Sequence, residues 1–279
     1  MTFCLVSFHA HPDDEALLTA GTLARAAAEG HRVILVVATS GEAGLSGAAP
    51  GSALGNLRSE ELARSAAALG CAEVILLDYP DSGMRNENDG FASLPIDPPA
   101  ERLAAILRAE RADVLTIYDR HGGYGHPDHV QVHRVGHRAA ELAGTPVVLE
   151  ATVDRTALVR ALSLMHWTRL LPPNFAPDRL RHCYSDRASI THRIDVRGYL
   201  GAKRRSMAAH ASQAAGGSGP RTLALFLKLP RPLYRRVFGT EWFIERGRPP
   251  ARPPATDVFA SLRGAPAEAQ PPSHRPAST

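Results

Sequence analysis

The first 150 residues alternate short, almost continuously apolar runs with alanine-rich stretches of helical period, and few architectures accept that pattern. Strands are expected at 2–8 (TFCLVSF), 32–39 (RVILVVAT), 73–77 (EVILL), 113–118 (DVLTIY) and 146–150 (PVVLE). None of these runs alternates cleanly between polar and apolar residues, so each needs apolar cover on both faces. Helices are expected at 15–29, 56–69, 99–110 and 129–143, with Gly30, Gly70 and Gly144 placed where left-handed C-caps fall. Strands joined by right-handed helical crossovers give an α/β fold with a doubly wound, mainly parallel sheet of order 3-2-1-4-5.

The remainder is less regular. A helix over 156–171 ends at Pro172 and Pro173, and the strand SITHRI leads to Asp195, which can cap a helix running to 213. An AGGSGP loop, the apolar stretch TLALFLKL and a strand TEWFIE follow. From Gly247 onward eight prolines fall among 33 residues with almost no large apolar side chains, and this tail is expected to be disordered. The organisation read from the chain is one domain over 1–246, made of a core (1–150) and C-terminal cap elements (151–246), followed by a Pro-rich tail over 247–279.

Charge and cysteine content narrow the function classes. The net charge of +4 is too small to suggest a nucleic-acid partner, but residues 181–250 hold 14 Lys and Arg against 4 Asp and Glu. Solvated helix faces explain most such runs; an anion-facing surface is the sharper alternative. Cys4, Cys71 and Cys183 form an odd set without CxxC spacing, so no disulfide framework is implied and a cytoplasmic location is expected. The opening MTFCLVSFHAHPDDE lacks the basic n-region of a signal peptide, and no apolar run approaches a membrane span. No membrane partner is expected, although LALFLKLPRPLYRRVF mixes apolar and basic residues in a way that suits a membrane surface. Oligomeric state is not set by any feature of the chain.

Two clusters carry the chemistry. His9-Ala10-His11-Pro12-Asp13-Asp14-Glu15 sits where the first strand gives way to the first helix. Three carboxylates beside two imidazoles repel one another unless a cation or protons compensate, and a helix cap accounts for only one of them. Glu15 reads more simply as a first-turn charge than as a ligand. Gly122-Gly123-Tyr124-Gly125-His126-Pro127-Asp128-His129 follows the fourth strand in the same way. In a sheet of this order the chain reverses direction between strands 1 and 4, and ligands bind at their carboxyl ends. Both clusters therefore converge on one pocket offering imidazole and carboxylate ligands to a borderline metal such as zinc, with iron(II) or another divalent ion as alternatives. His129, His133 and His137, spaced by four, offer a rival set, but it lacks the acid of HExxH, and His133 and His137 read as surface residues of an amphipathic helix.

At these residues the chain resembles the metal-dependent N-acetylglucosamine deacetylases of the LmbE or PIG-L type, marked by a strand-end HPDDE and a later HPDH. The resemblance extends to TSGEAG at 39–44, RSEE at 58–61, DSGM at 81–84, and Lys203 with Ser212, Gln213 and His210, covering 3–245. It implies a Rossmann-like sheet, a metal held by His11, Asp14 and His129, Asp13 as general base, and His126 as the electrophilic or acid residue beside Asp128. DSGM and GGYGHPDH look most like the branch acting on the glucosaminyl-inositol precursor and conjugates of mycothiol. By that likeness Arg58, Asp81 and Tyr124 face the sugar or its acyl group; His210 either reaches the pocket or is an ordinary helix-surface histidine. The implied activity is zinc-dependent hydrolysis of the N-acyl group of a small glucosamine-containing substrate by a metal-activated water. An amidase of a mycothiol-type conjugate and a deacetylase of an antibiotic sugar are the enzymatic alternatives, and a metal-dependent sugar-binding protein the non-enzymatic one.

Two unrelated classes fit poorly. A nucleotide-binding module needs a glycine-lined anion site where this chain places HAHPDDE. A phosphoacceptor receiver domain needs a lysine after the fifth strand, where VVLEAT has none.

Overall fold

The computed structural model describes residues 1–44, 51–84, 89–167, 183–214 and 222–264. Strands β1 (Cys4–His9), β2 (Arg32–Thr39), β3 (Glu73–Tyr79), β4 (Val114–Tyr118) and β5 (Val147–Thr152) form parallel pairs in the order β3-β2-β1-β4-β5, as the alternating pattern predicts. Two antiparallel strands extend the sheet to seven, β7 (Thr240–Glu245) beside β5 and β6 (His192–Asp195) at the edge. Consecutive residues of β1 bury on opposite faces, Leu5 with Leu23, Val114 and Phe243, and Val6 with Leu103, Val132 and Val135. This is why these strands read as unbroken apolar runs.

Helices α4 (Asp97–Ala109) and α5 (Pro127–Ala143) cover one face; α2 (Ala20–Ala28), α3 (Ser52–Leu69) and α7 (Leu200–Ala209) pack together on the other. The single helix expected over 15–29 is two, α1 (Asp14–Leu18) and α2, broken at Thr19, whose hydroxyl lies 3.0 Å from His9 Nε2. Asp195 ends β6 and accepts the Arg197 N–H rather than capping a long helix, and α7 begins only after a short 3-10 turn at Arg197–Tyr199. The remaining helices are α6 (Arg155–Trp167), α8 (Ala211–Ala214), α9 (Thr222–Leu227), α10 (Arg231–Phe238) and α11 (Ala260–Gly264).

The tail departs from expectation. Up to residue 264 it is packed, not disordered: Val258 and Phe259 are buried in the core, Phe259 stacks on Phe3 at 5.0 Å, and Ala255 bridges to His192. Two apolar side chains suffice to hold a Pro-rich segment whose remaining residues stay near the surface. The part of the tail after 264 lies outside the described residues, as do 168–182 and Arg221.

The elements after β5 are tied to the core by a buried ion pair. Lys203, 1% exposed, donates from Nζ to Glu241 at 2.6 Å and to the Leu17 carbonyl at 2.8 Å, and Glu241 accepts the Gly21 and Thr22 N–H groups at 2.8 Å each. Both carboxylate oxygens and the ammonium are thus partnered, which such a burial requires. No described helix is long and apolar enough to cross a membrane.

Candidate active site

The carboxyl ends of β1 and β4, neighbours in the sheet, open between the β1–α1 and β4–α5 connections. His11, Asp14, His126, Asp128 and His129 meet there, all buried. Asp14 Oδ2 lies 3.3 Å from both His11 Nδ1 and His129 Nε2. On its other side His11 Nε2 is 3.1 Å from Asp128 Oδ2 and 3.4 Å from Asp81 Oδ1. The His126 ring stands edge-on to His11 at 4.6 Å and stacks near His129 at 4.9 Å. The Tyr118 ring backs His129 in parallel at 4.1 Å.

Backbone strain shapes the first connection. Asp13 has φ 111°, a conformation that costs a non-glycine residue on the order of 1–3 kcal/mol unless its neighbours enforce it. They do: Arg58 donates to the Pro12 carbonyl at 2.5 Å and to the Gly41 carbonyl at 2.7 Å, while Glu15 accepts the Asp13 N–H at 3.1 Å. A Cβ at Gly41 or Gly44 would overlap the Arg58 guanidinium, so TSGEAG is glycine-bearing to let that arginine in. The Asp13 carboxyl stays 21% exposed, 3.6 Å from Arg58. Burial pushes its pKa up to about 6, with Arg58 pulling the other way and Asp14 adding to the rise.

The second connection is held by Asp119, fully buried just beyond β4. Its Oδ1 accepts the His121 and Gly123 N–H groups at 3.1 Å each, and its Oδ2 accepts the Thr152 and Ser185 hydroxyls at 2.6 and 2.9 Å. Gly122 and Gly123 take φ of 62° and 63°, which lets the chain turn into α5 with His126 as N-cap. His126 Nδ1 accepts the Asp128 N–H at 3.2 Å, so its proton sits on Nε2. Burial, reinforced by His11 and His129, lowers the His126 pKa to about 4, and the ring is neutral at pH 7. Asp128 engages His126 through its backbone; its carboxylate instead takes His11 Nε2 and the Ser82 N–H, each at 3.1 Å.

The residues expected around the sugar separate into two kinds. Tyr124, 45% exposed, presents its ring edge to His129 at 5.1 Å and lies at the mouth. Asp81 lies in the cluster beside His11, its backbone N–H held by Glu42 at 2.7 Å. Arg58 is buried and spent on the two carbonyls that hold the Asp13 turn. His210 is buried away from the mouth, its Nε2 2.6 Å from Glu15 Oε1. Glu15 is no exposed first-turn charge either: it is fully buried and also accepts the Ser65 hydroxyl at 2.5 Å. Sequence reasoning passed over Asp119, Glu42 and Tyr118. Asp119 left a signal as an acid at a strand end just before a double glycine, and Glu42 lies within TSGEAG.

The donor set suits a divalent cation. Burial works against charging His11, yet Asp128, Asp14 and Asp81 together raise its pKa well above the usual imidazole value. Burial likewise opposes ionising Asp14, and His129 and His11 overcome it, holding its carboxyl well below the usual range. Both ring nitrogens of His129 and Asp128 Oδ1 are buried without a hydrogen-bond partner. Buried polar atoms left in this way are rare unless something else fills the site. His11, His126 and His129, and separately His11, Asp81, His126 and Asp128, present ligand atoms within 4.8 Å of one another.

The chain is similar to known proteins. The profile of the family described as PIG-L, GlcNAc-PI de-N-acetylase, matches residues 6–140, which span both connections. The 1D-myo-inositol 2-acetamido-2-deoxy-alpha-D-glucopyranoside deacetylase of Saccharomonospora viridis is 35% identical over 272 residues, covering 91% of this chain and 98% of its own. The enzyme of the same name from Streptomyces griseus is 37% identical over 290 residues, covering 92% and 88%. Among solved structures, a conserved protein of Thermus thermophilus superposes with TM-score 0.58 at 23% identity, covering 88% of this chain and 95% of that one. The N,N'-diacetylchitobiose deacetylase of Pyrococcus horikoshii superposes with TM-score 0.55 at 20% identity, covering 87% and 83%. Identity of this extent along nearly the whole length places the chain in the PIG-L deacetylase family.

Proposed function

We propose that this protein hydrolyses the acetamide of an N-acetylglucosaminyl-inositol, releasing acetate and a free amine, with one divalent ion held by His11, Asp14 and His129. The observation that carries the reading is the buried meeting of these three side chains at the β1/β4 switch point, in a chain 35% identical to a deacetylase of that substrate over 91% of its length. His11 Nε2 is engaged by Asp128, the arrangement by which a carboxylate orients a metal-binding imidazole, and that leaves Nδ1 for the ion. When bound, the ion supplies Lewis-acid polarisation and a water acidified to near-neutral pKa.

The remaining work falls to the chain. Asp13, next in sequence to a ligand and partly exposed, accepts a proton from the attacking water and returns it to the departing nitrogen; a pKa near 6 suits both transfers. His126, neutral and protonated on Nε2, donates a hydrogen bond to the carbonyl oxygen as negative charge grows there. A cationic imidazole is disfavoured in this position, because burial beside two other imidazoles opposes that charge. Tyr124 closes one side of the mouth, and Asp81 presents an acceptor to a sugar hydroxyl.

Primary-amine release by the metal-loaded protein from a panel of N-acylated glucosaminides tests the proposal. Release from the acetylated inositol glycoside, faster than from bulkier acyl conjugates or acylated antibiotic sugars, is expected. Preference for a bulky acyl conjugate would reassign the protein as an amidase, and binding without release would make it a sugar-binding protein.

A further inference from the structure

Helix α5 carries a second histidine–carboxylate group, and it lies outside the cluster just described. His133 and His137 stand one and two turns beyond His129, on the face of α5 turned to β4 and β5. Their rings meet edge-on at 4.6 Å. The acid beside them comes from β5: Glu150 Oε1 is 2.8 Å from His137 Nε2 and 3.7 Å from His133 Nδ1. One ligand atom from each of the three lies within 4.8 Å of the others. His133 Nδ1 donates to the Tyr118 carbonyl at 3.1 Å, which fixes the ring and leaves Nε2 as its free nitrogen. All three side chains are half-buried, at 19%, 18% and 15% exposure, so the backbone holds them in place while water and ions retain access.

We infer that His133, His137 and Glu150 form a second divalent-metal site, separate from the active site and selective for borderline ions such as zinc or nickel. Two imidazoles four residues apart on a helix already point the same way, and a carboxylate from a neighbouring strand completes a two-histidine, one-carboxylate set. The ion takes the place of the proton between His137 Nε2 and Glu150, which moves to His137 Nδ1, a buried nitrogen without a hydrogen-bond partner. The remaining positions fall to water, and the bound ion clips α5 to β5. The inference does not depend on the deacetylase reading, since neither its ligands nor its test involve the substrate.

Zinc titration of the metal-stripped full chain, followed by calorimetry, tests the site. The wild-type protein is expected to bind two ions per chain. The His137→Gln and Glu150→Gln variants are expected to lose that second ion and bind one, whereas Asp14→Asn is expected to lose the first and keep the second. Nickel should broaden the His133 and His137 ring proton signals in the Asp14→Asn protein. A single equivalent in wild type that survives both His137→Gln and Glu150→Gln, or a second that survives both, would overturn the inference. Circular dichroism on each variant separates lost ligation from lost folding.

Discussion

One helix, α5, carries two histidine–carboxylate groups of opposite character. At its N-terminal end three imidazoles face Asp14, Asp81 and Asp128 in a fully buried pocket, and His129 and Asp128 retain buried atoms without partners. Two turns on, His133 and His137 share a single carboxylate, half-open to water, and a shared proton satisfies most of what they need. The difference is one of charge balance. A surplus of buried carboxylate is costly without a cation, so the first group requires an ion. The second is nearly balanced as it stands and accepts an ion only by giving up the His137–Glu150 hydrogen bond. Chemistry is therefore placed at the strand-end group, where binding energy and position coincide with the sheet's switch point.

The contrast predicts graded effects along α5. The largest belongs to Asp13→Asn, which keeps the metal and loses turnover by roughly 10²- to 10⁴-fold, the usual range for a positioned base; metal loss in this variant would move Asp13 among the ligands. In the wild type, kcat/KM should rise as pH climbs through the Asp13 pKa, because the base works deprotonated. That limb falls at or below about 6, since a nearby cation favours the carboxylate. Next, Asp128→Asn removes the carboxylate charge that orients His11 and should weaken metal affinity about 10- to 100-fold, as read by chelator competition. Asp119→Ala strands two hydroxyls and two loop N–H groups; each such loss costs about 1–3 kcal/mol, read from the denaturant midpoint, with KM rising more than kcat falls. Smallest of all, Glu150→Gln should leave kcat within about twofold and stability within about 1 kcal/mol, since a pair open to water contributes little. An Asp128→Asn effect no larger than that of Glu150→Gln would erase the distinction between the two groups.

The strand-end group was legible in the sequence because its residues are close in the chain and topology brings only two segments together. HPDDE and GGYGHPDH each follow an apolar run, and a parallel sheet delivers both to one edge. What escaped notice depends on single long-range contacts. Glu150 lies 13 residues beyond His137 in sequence but 2.8 Å away in space, so a search for an acid within the helix could not find it. Glu15 reads as a first-turn charge and His210 as either a pocket residue or a helix-surface histidine, yet the two, 195 residues apart, form a buried pair that braces the Asp13 turn. Arg58 showed the same limit in reverse: its motif pointed to the site, but its partners turned out to be backbone carbonyls. Local composition misled at the tail, where Val258 and Phe259 outweigh the prolines around them.

The position of the active-site ion tests the account most directly, because His11 offers a nitrogen to each side. Anomalous scattering at the zinc edge from crystals of the zinc-loaded protein would locate it. The account predicts an ion on the Nδ1 side, about 2.0–2.2 Å from His11, Asp14 and His129. An ion on the Nε2 side instead, among Asp81, His126 and Asp128, would contradict it.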